Sequence, residues 1–240
     1  MVIDMHCHLL PGVDDGSKDE KETEKMLRMA WKEGIRGILV TPHYHVARSG
    51  DFAERCKSAY RKVCSMAKGM YPEMRIFLGN EIFYSTGVVE ALKRGDALTL
   101  NGTRYVLVEF APYVELLTIR KAVQELQYAG YTPILAHMER YDCMKKEEQV
   151  RALVEMGALM QVNASTITGK MGMGVKRYMK KLLKEDLIHI IGTDAHSSSH
   201  RRPKIKKCLR YIEKKAGASR RQKLTERNPA KIIRGENICG

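Results

Sequence analysis

Val2-Ile3-Asp4-Met5-His6-Cys7-His8 opens the chain, and Leu9-Leu10-Pro11-Gly12-Val13-Asp14-Asp15-Gly16-Ser17 follows it. An apolar start that runs into two imidazoles and then two carboxylates reads as a strand ending in a loop rich in ligands. Side chains two apart on a strand share a face, so His6 and His8 point the same way while Cys7 points to the other side. Neutral imidazole is the commonest protein ligand for zinc, iron and related divalent ions, and a loop carboxylate just downstream can complete a site. Two ordinary polar residues at a strand end look the same when taken alone. The rest of the chain decides between the two.

Six more apolar runs read as strands. Gly37–Thr41 ends in Pro42-His43, Arg75–Leu78 leads to Gly79-Asn80-Glu81, and Tyr105–Val108 ends at Glu109. Thr132–Ala136 delivers His137, Ala158–Val162 delivers Asn163, and Leu187–Ile191 precedes Asp194 and His196. Helical periodicity fills the intervals. Ser17-Lys18-Asp19-Glu20 reads as a capping box for a helix carrying Met26, Leu27, Ala30 and Trp31 to a stop at Gly34. Further helices are expected at about 52–68, 114–129 and 146–156, while Asn101-Gly102 signals a hairpin turn. Strands alternating with helices imply a parallel sheet covered on both faces. In a (β/α) barrel the C-terminal strand ends meet on one rim, whereas a doubly wound open sheet gathers ligands only near its switch point. A His, Asp or Glu at the ends of six of these strands favours the α/β barrel.

With 240 residues, 44% hydrophobic and 29% charged, the chain suits one soluble domain over 1–240. No Pro/Gly/Ser-rich linker, internal repeat, Walker sequence or Gly-x-Gly-x-x-Gly interrupts it. No apolar run approaches the ~18 residues of a membrane span. Candidate ligands beginning at position 6 leave no room for a cleaved leader. The six cysteines (7, 56, 64, 143, 208 and 239) form no Cys-x-x-Cys, as expected of reduced thiols in a cytoplasmic protein. Net charge is +14, and residues 200–240 hold fourteen Lys/Arg against three Glu, a net +11. Such a basic C-terminal region attracts acidic protein segments, anionic membrane or nucleic acid. Nucleic acid is the less expected partner, because only Tyr211 interrupts the basic residues with an aromatic ring.

The candidate ligands are His6, His8, Asp15, His43, Glu81, Glu109, His137, Asp194 and His196. A tetrahedral or five-coordinate ion takes about four or five, so nine suit two or three divalent ions with one carboxylate bridging. Asp14 is the ambiguous neighbour, and Asp4 and His189, inside strands, suit supporting roles.

The order His6-x-His8, Asp15, Thr41-Pro42-His43, Gly79-Asn80-Glu81, Glu109, Ala136-His137-x-Glu139-Arg140-Tyr141, Gln161-Val162-Asn163-Ala164-Ser165 and Thr193-Asp194-Ala195-His196 resembles the polymerase and histidinol phosphatase (PHP) superfamily. Within it the sequence resembles the bacterial manganese-dependent protein-tyrosine phosphatases encoded with capsular or exopolysaccharide genes. The resemblance runs from Val2 to Pro229 and implies a distorted (β/α)7 barrel with a trinuclear centre. It implies His6, His8, Glu81 and Asp194 on one ion, Glu81, Glu109 and His137 on a second, and Asp15, His43 and His196 on a third. Manganese is the implied metal, with iron or zinc as alternatives. Arg140 and Arg202 are the implied phosphate-binding residues, with Arg201 an alternative to Arg202.

The implied chemistry is phosphomonoester hydrolysis, in which metal coordination lowers the pKa of water from about 15.7 to about 7 and supplies hydroxide. The implied substrate is a phosphotyrosine protein, in particular a tyrosine kinase of polysaccharide synthesis. No cysteine has an arginine six positions later, so the Cys-x5-Arg loop of cysteine-dependent phosphatases is absent. A metal-dependent nuclease shares the Asp4-x-His6-Cys7-His8 start, and a histidinol-phosphate phosphatase lies nearer. A non-catalytic basic adaptor would need no converging ligands.

Overall fold

The computed structural model describes residues 1–48 and 50–238, so Cys239 lies outside the described residues. Strand β1 (Val2–Cys7) leads through helix α1 (Glu20–Lys32) to β2 (Ile35–Val40) and a short continuation, β3 (His43–Tyr44). Helix α2 (Phe52–Met70) leads in the same way to β4 (Arg75–Leu78) and its continuation β5 (Glu81–Phe83). Then come α3 (Val88–Arg94), β6 (Tyr105–Glu109), α4 (Leu116–Tyr128), β7 (Thr132–Leu135), α5 (Glu147–Glu155) and β8 (Leu159–Asn163). The chain ends with α6 (Ala164–Ile167), α7 (Met173–Lys184), β9 (Ile190–Gly192), α8 (Lys206–Ala216), α9 (Ala218–Gln222) and α10 (Asn228–Arg234).

Every strand pairing among the described residues is parallel, in the orders β1-β2-β4 and β3-β5-β6-β7-β8-β9. Breaks at Thr41-Pro42 and Gly79-Asn80 separate β2 from β3 and β4 from β5. A bridge between Cys7 and Ala195, with His8 N–H donating to Ala195 O at 2.8 Å, joins the last strand position to the first. The result is the seven-position distorted barrel expected, with β3 and β5 as additional rungs at the rim.

Two expectations fail locally. Asn101 and Gly102 do adopt left-handed backbone (φ 53° and 70°), as a tight turn demands, but they close a single 3-10 turn and no antiparallel pair flanks them. A parallel barrel has no use for a hairpin there. Asp19, not Ser17, caps α1: its carboxylate accepts Glu22 N–H at 2.8 Å, while Ser17 Oγ donates to Asp19 O.

Two apolar layers hold the ring. Ile3, Met5, Leu107, Ile134 and Ile190 fill the interior, and a larger layer packs the helices on the outside. Ile232, Ile233 and Ile238 join the interior layer, so the last part of the basic C-terminal region, α10 and the residues after it, closes the bottom of the barrel. Polar bonds tie it there: Asn101 Nδ2 to Ile233 O, Arg104 Nη1 to Gly235 O and Asn228 Nδ2 to His189 O. Each isoleucine so buried contributes about 1.5–3 kcal/mol. The lysines and arginines of this region lie mostly on its outer face.

Candidate metal centre

Strict alternation along β1 would place Cys7 with Ile3 and Met5. Cys7 instead packs in the outer layer while Ile3 and Met5 lie inside. The pairing of β1 with β2 slips between Asp4 and Cys7, and this irregularity shifts the alternation by one residue. His6 and His8 therefore turn into the barrel above its apolar plug, and their Nε2 atoms lie 3.1 Å apart.

The remaining strand ends bring their ligands to the same place. Glu81 Oε2 lies 3.0 Å from His6 Nε2, 3.2 Å from His8 Nε2 and 3.0 Å from His43 Nδ1. Its Oε1 lies 2.7 Å from His137 Nε2, which is also 3.3 Å from Glu109 Oε1. Asp194 Oδ1 stands 3.6 Å from His6 Nε2 and 3.6 Å from His196 Nδ1. Asp15, on the exposed lip, reaches His43 at 3.5 Å and His196 at 3.6 Å. All nine residues singled out from the sequence thus form one connected cluster at the C-terminal rim.

Buried charge governs the electrostatics. Glu81 is fully buried, which opposes ionisation, yet the surrounding histidines hold its carboxyl well below the usual range. Burial also disfavours the charged form of His8, but the hydrogen bond to Asp14 and the nearby negative charge of Glu81 outweigh it and raise its pKa to about 10. His137 is raised to about 9 by Glu109 and Glu81 against the same burial. His196 is pushed down to about 3 by burial and by the charges of His8 and Arg201.

A divalent ion fits this arrangement. Glu81 Oε2 has three imidazole nitrogens within 3.2 Å, but none in hydrogen-bonding geometry, and among the described residues it has no hydrogen-bond partner. His196 Nε2 is buried and unpartnered in the same way. Buried polar atoms are rarely left so, and lone pairs converging on a common space are what a cation satisfies. Three groups of ligand atoms are close enough to hold ions: His8, Asp15, His43 and His196; His6, His8 and Glu81; and His43, Glu81 and Glu109.

Supporting residues set the tautomers. Gln161 Oε1 accepts the backbone N–H of His137 at 2.7 Å, which fixes it as the acceptor for His6 Nδ1 at 3.1 Å and turns His6 Nε2 towards His8 Nε2 and the centre. Gln161 Nε2 donates to Asn163, whose Nδ2 donates to Asp194 Oδ2 at 2.9 Å. Asp14 does the same for His8 by accepting its Nδ1–H at 2.7 Å. Asp4 accepts the backbone N–H and the hydroxyl of Thr193, just before Asp194. His189 lies away from the centre, where its Nδ1 accepts Met160 N–H at 3.0 Å. His137 and Asp194 have φ of 31° and 53°, a strained conformation that concentrates at functional sites.

Two guanidiniums grip Asp194. Arg140 Nη2 lies 2.5 Å from its Oδ2, and Arg201 Nη2 lies 2.5 Å from its Oδ1. Arg202 instead turns its Nε to Ser199 O, so the arginine of this pair that meets Asp194 is Arg201.

The sequence profile of the family described as capsular polysaccharide synthesis, CpsB/CapC, matches residues 2–234. The chain belongs to this family. It is 32% identical over 243 residues to the tyrosine-protein phosphatase CpsB of Streptococcus pneumoniae, covering 99% of this chain and 100% of that protein. It is 31% identical to the tyrosine-protein phosphatase YwqE of Bacillus subtilis (strain 168), covering 99% of this chain and 93% of that protein. A crystal structure from work on YwqE of B. subtilis and CpsB of S. pneumoniae, described there as metal-dependent tyrosine phosphatases, superposes with a TM-score of 0.90 at 29% identity. That match covers 99% of this chain and 96% of the other.

For this CpsB/CapC chain, reading strand ends found the inward cluster and the supporting place of Asp4, but did not assign the orienting roles of Gln161, Asn163 and Asp14. Gln161 and Asn163 stand two apart at the end of β8, the same spacing as His6 and His8, and that signal pointed to one shared face. Asp14 and Arg201 carried no comparable signal, since each has a like-charged neighbour in Asp15 and Arg202.

Proposed function

We propose that this chain is a metal-dependent protein-tyrosine phosphatase that removes the phosphoryl group from phosphotyrosine. The observation that carries the reading is the buried knot of unpartnered imidazole and carboxylate atoms with two guanidiniums at its edge. The family and its named phosphatase relatives support it. His6, His8, Glu81 and Asp194 would hold one ion, Glu81, Glu109 and His137 a second, and Asp15, His43 and His196 a third. This donor set holds no thiolate and suits Mn2+, with iron or zinc as alternatives. Divalent ions in such a site lower the pKa of water and offset charge on phosphoryl oxygens.

The chain's own residues do the rest. Arg140 and Arg201 bind the phosphoryl oxygens through N–H groups not used by Asp194, and their planar forks suit bidentate contact. Asp194 orients both. His196, which its burial favours in the neutral form, keeps a lone pair available as a ligand. A monoester dianion offers three terminal oxygens to this concentration of positive charge, where a phosphodiester offers one charge and needs room on both sides.

The substrate we assign is a tyrosine kinase of polysaccharide synthesis, acted on in the cytoplasm. The family description and the net charge of +14, which favours encounter with acidic segments, support this. No helix of the described residues is long and apolar enough to cross a membrane.

The test is protein purified without chelator, analysed for metal, and assayed with Mn2+ on phosphotyrosine peptide, phosphoserine peptide and DNA side by side. Phosphate release should be fastest from phosphotyrosine. DNA cleavage outpacing it would overturn the reading in favour of a nuclease.

A further inference from the structure

The cleft beside Asp194 carries more positive charge than one phosphoryl group calls for. It is a cavity of about 440 Å3, with Arg140, Arg201 and Asp194 at its buried end. Lys170, Lys204 and Lys207 line its exposed part, Lys170 from the loop after α6 and the other two from the approach to α8 and its first turn, beside Arg202, whose Nε is held by Ser199 O. Glu33 is the one carboxylate among them, and it is committed elsewhere. Its Oε2 accepts the backbone N–H groups of Ile205 and Lys206 at 3.0 and 2.8 Å, capping α8. Among the described residues none of the three lysines forms an ion pair. Unneutralised like charges along a concave wall repel one another and focus a positive potential into the cleft.

The division of residue types is informative. Arginine's rigid fork holds one anion in one geometry, whereas ammonium groups on flexible stems accept an anion over a range of positions. The reacting phosphoryl group requires the first. We infer that the lysine-lined part of the cleft is a subsite for a second anionic group on the substrate, a carboxylate or phosphate on a residue flanking the phosphotyrosine. This inference rests on the phosphotyrosine phosphatase reading of the site.

The experiment uses the full chain with Mn2+ and three phosphotyrosine peptides that differ only in flanking residues: glutamine, glutamate or phosphoserine. The kcat/KM for an anionic peptide should exceed that for the glutamine peptide by about tenfold or more, the scale of one charge-assisted contact. Whichever anionic peptide gains more identifies the source of the second charge. In the triple variant Lys170→Ala, Lys204→Ala, Lys207→Ala the ratio should fall towards one, and because the ratio is taken within one protein, partial loss of folded enzyme cancels. A second triple variant, Lys68→Ala, Lys93→Ala, Lys121→Ala, removes the same net charge from exposed positions on α2, α3 and α4 and should keep the preference. The subsite is overturned if wild-type enzyme shows no preference, if the cleft variant retains it, or if both variants lose it equally, which would mean long-range steering. Hydrolysis of p-nitrophenyl phosphate separates the two failures. Turnover of it without any preference sinks the subsite alone, and no turnover of it or of any peptide sinks the phosphatase reading.

Discussion

Asp14 Oδ2 accepts the Nδ1–H of His8 at 2.7 Å and the backbone N–H of His43 at 3.0 Å. One carboxylate therefore sets the ring of one ligand candidate and the backbone of another, on two different strands. The attraction to His8 and these hydrogen bonds outweigh the burial of Asp14 and lower its pKa to about 2. Asp14→Ala should reduce metal affinity about 10–100-fold, the usual cost of removing a residue that orients a ligand. Titration against a competing chelator reads it directly, and wild-type affinity would show that His8 needs no such support.

Proton release should accompany metal uptake. The metal-free pKa of His8 is raised to about 10 and that of His137 to about 9, so both rings are protonated at pH 7 and must lose a proton to become ligands. Affinity should therefore fall as pH falls. The sign for stability is the reverse. A histidine whose folded pKa is raised stabilises the metal-free protein below its unfolded value of about 6.5. That contribution is lost as pH rises through about 9 to 10. Calorimetric titration at pH 7 in two buffers of different ionisation enthalpy measures the protons released, and a value near zero would contradict the protonated rings.

Two glycines hold the backbone close to the first ligands. A Cβ on Gly192 would overlap the Cβ of His6, and one on Gly16 would overlap the carbonyl and Cβ of His8. Gly192→Ala or Gly16→Ala should cost about 1–3 kcal/mol by overpacking, which for a domain of this size lowers Tm by about 2–12 °C. Metal content should fall as well. Gly174→Ala, in α7 with nothing within 4 Å, is the contrast and should leave both unchanged. Equal Tm and metal content in all three variants would show that the backbone can yield.

The arginines should separate. Arg140→Ala and Arg201→Ala should each lower kcat/KM by about 10²–10³, the scale of removing one preorganised donor to developing charge. Lys at either position should restore only part, because a point charge lacks the fork. Arg202→Ala, whose Nε is held by Ser199 O, should have a smaller effect. Steady-state kinetics beside metal analysis distinguishes loss of catalysis from loss of ions, and a larger effect at Arg202 than at Arg201 would reverse the assignment.

Chelation, not alkylation, should inactivate. Burial raises the thiol pKa of Cys56 to about 12 and that of Cys7 well above its usual value, and Cys208 is likewise pushed up by burial. Thiols so protonated are poor nucleophiles. Iodoacetamide should leave activity within about twofold while exhaustive chelation removes it, and re-addition of Mn2+ should restore it. Activity surviving chelation would refute the metal mechanism.

The inward-facing cluster was legible because a parallel barrel converts sequence position into spatial position: each strand ends on the same rim, so His6, Glu81, His137 and Asp194 could be placed together from periodicity alone. The local errors have a common origin. Asn101-Gly102 adopts the turn its residues favour, but whether a turn joins antiparallel strands depends on partners far away in sequence. Ser17 and Asp19 are both competent caps, and the loop that packs Ser17 against Thr23 leaves Asp19 to fill the position.

Local chemistry thus determined which residues could be ligands and that strands and helices would alternate, because side-chain type and periodicity are properties of short segments. The tertiary structure alone decided which of two adjacent like residues takes the role: Asp14 over Asp15 as the support of His8, and Arg201 over Arg202 as the partner of Asp194. It also divided the basic C-terminal stretch between the cleft beside Asp194, which takes Arg201, Lys204 and Lys207, and the barrel floor, which α10 closes. These outcomes depend on distances between groups tens to hundreds of residues apart in sequence, and such distances exist only once the ring has closed through Cys7 and Ala195.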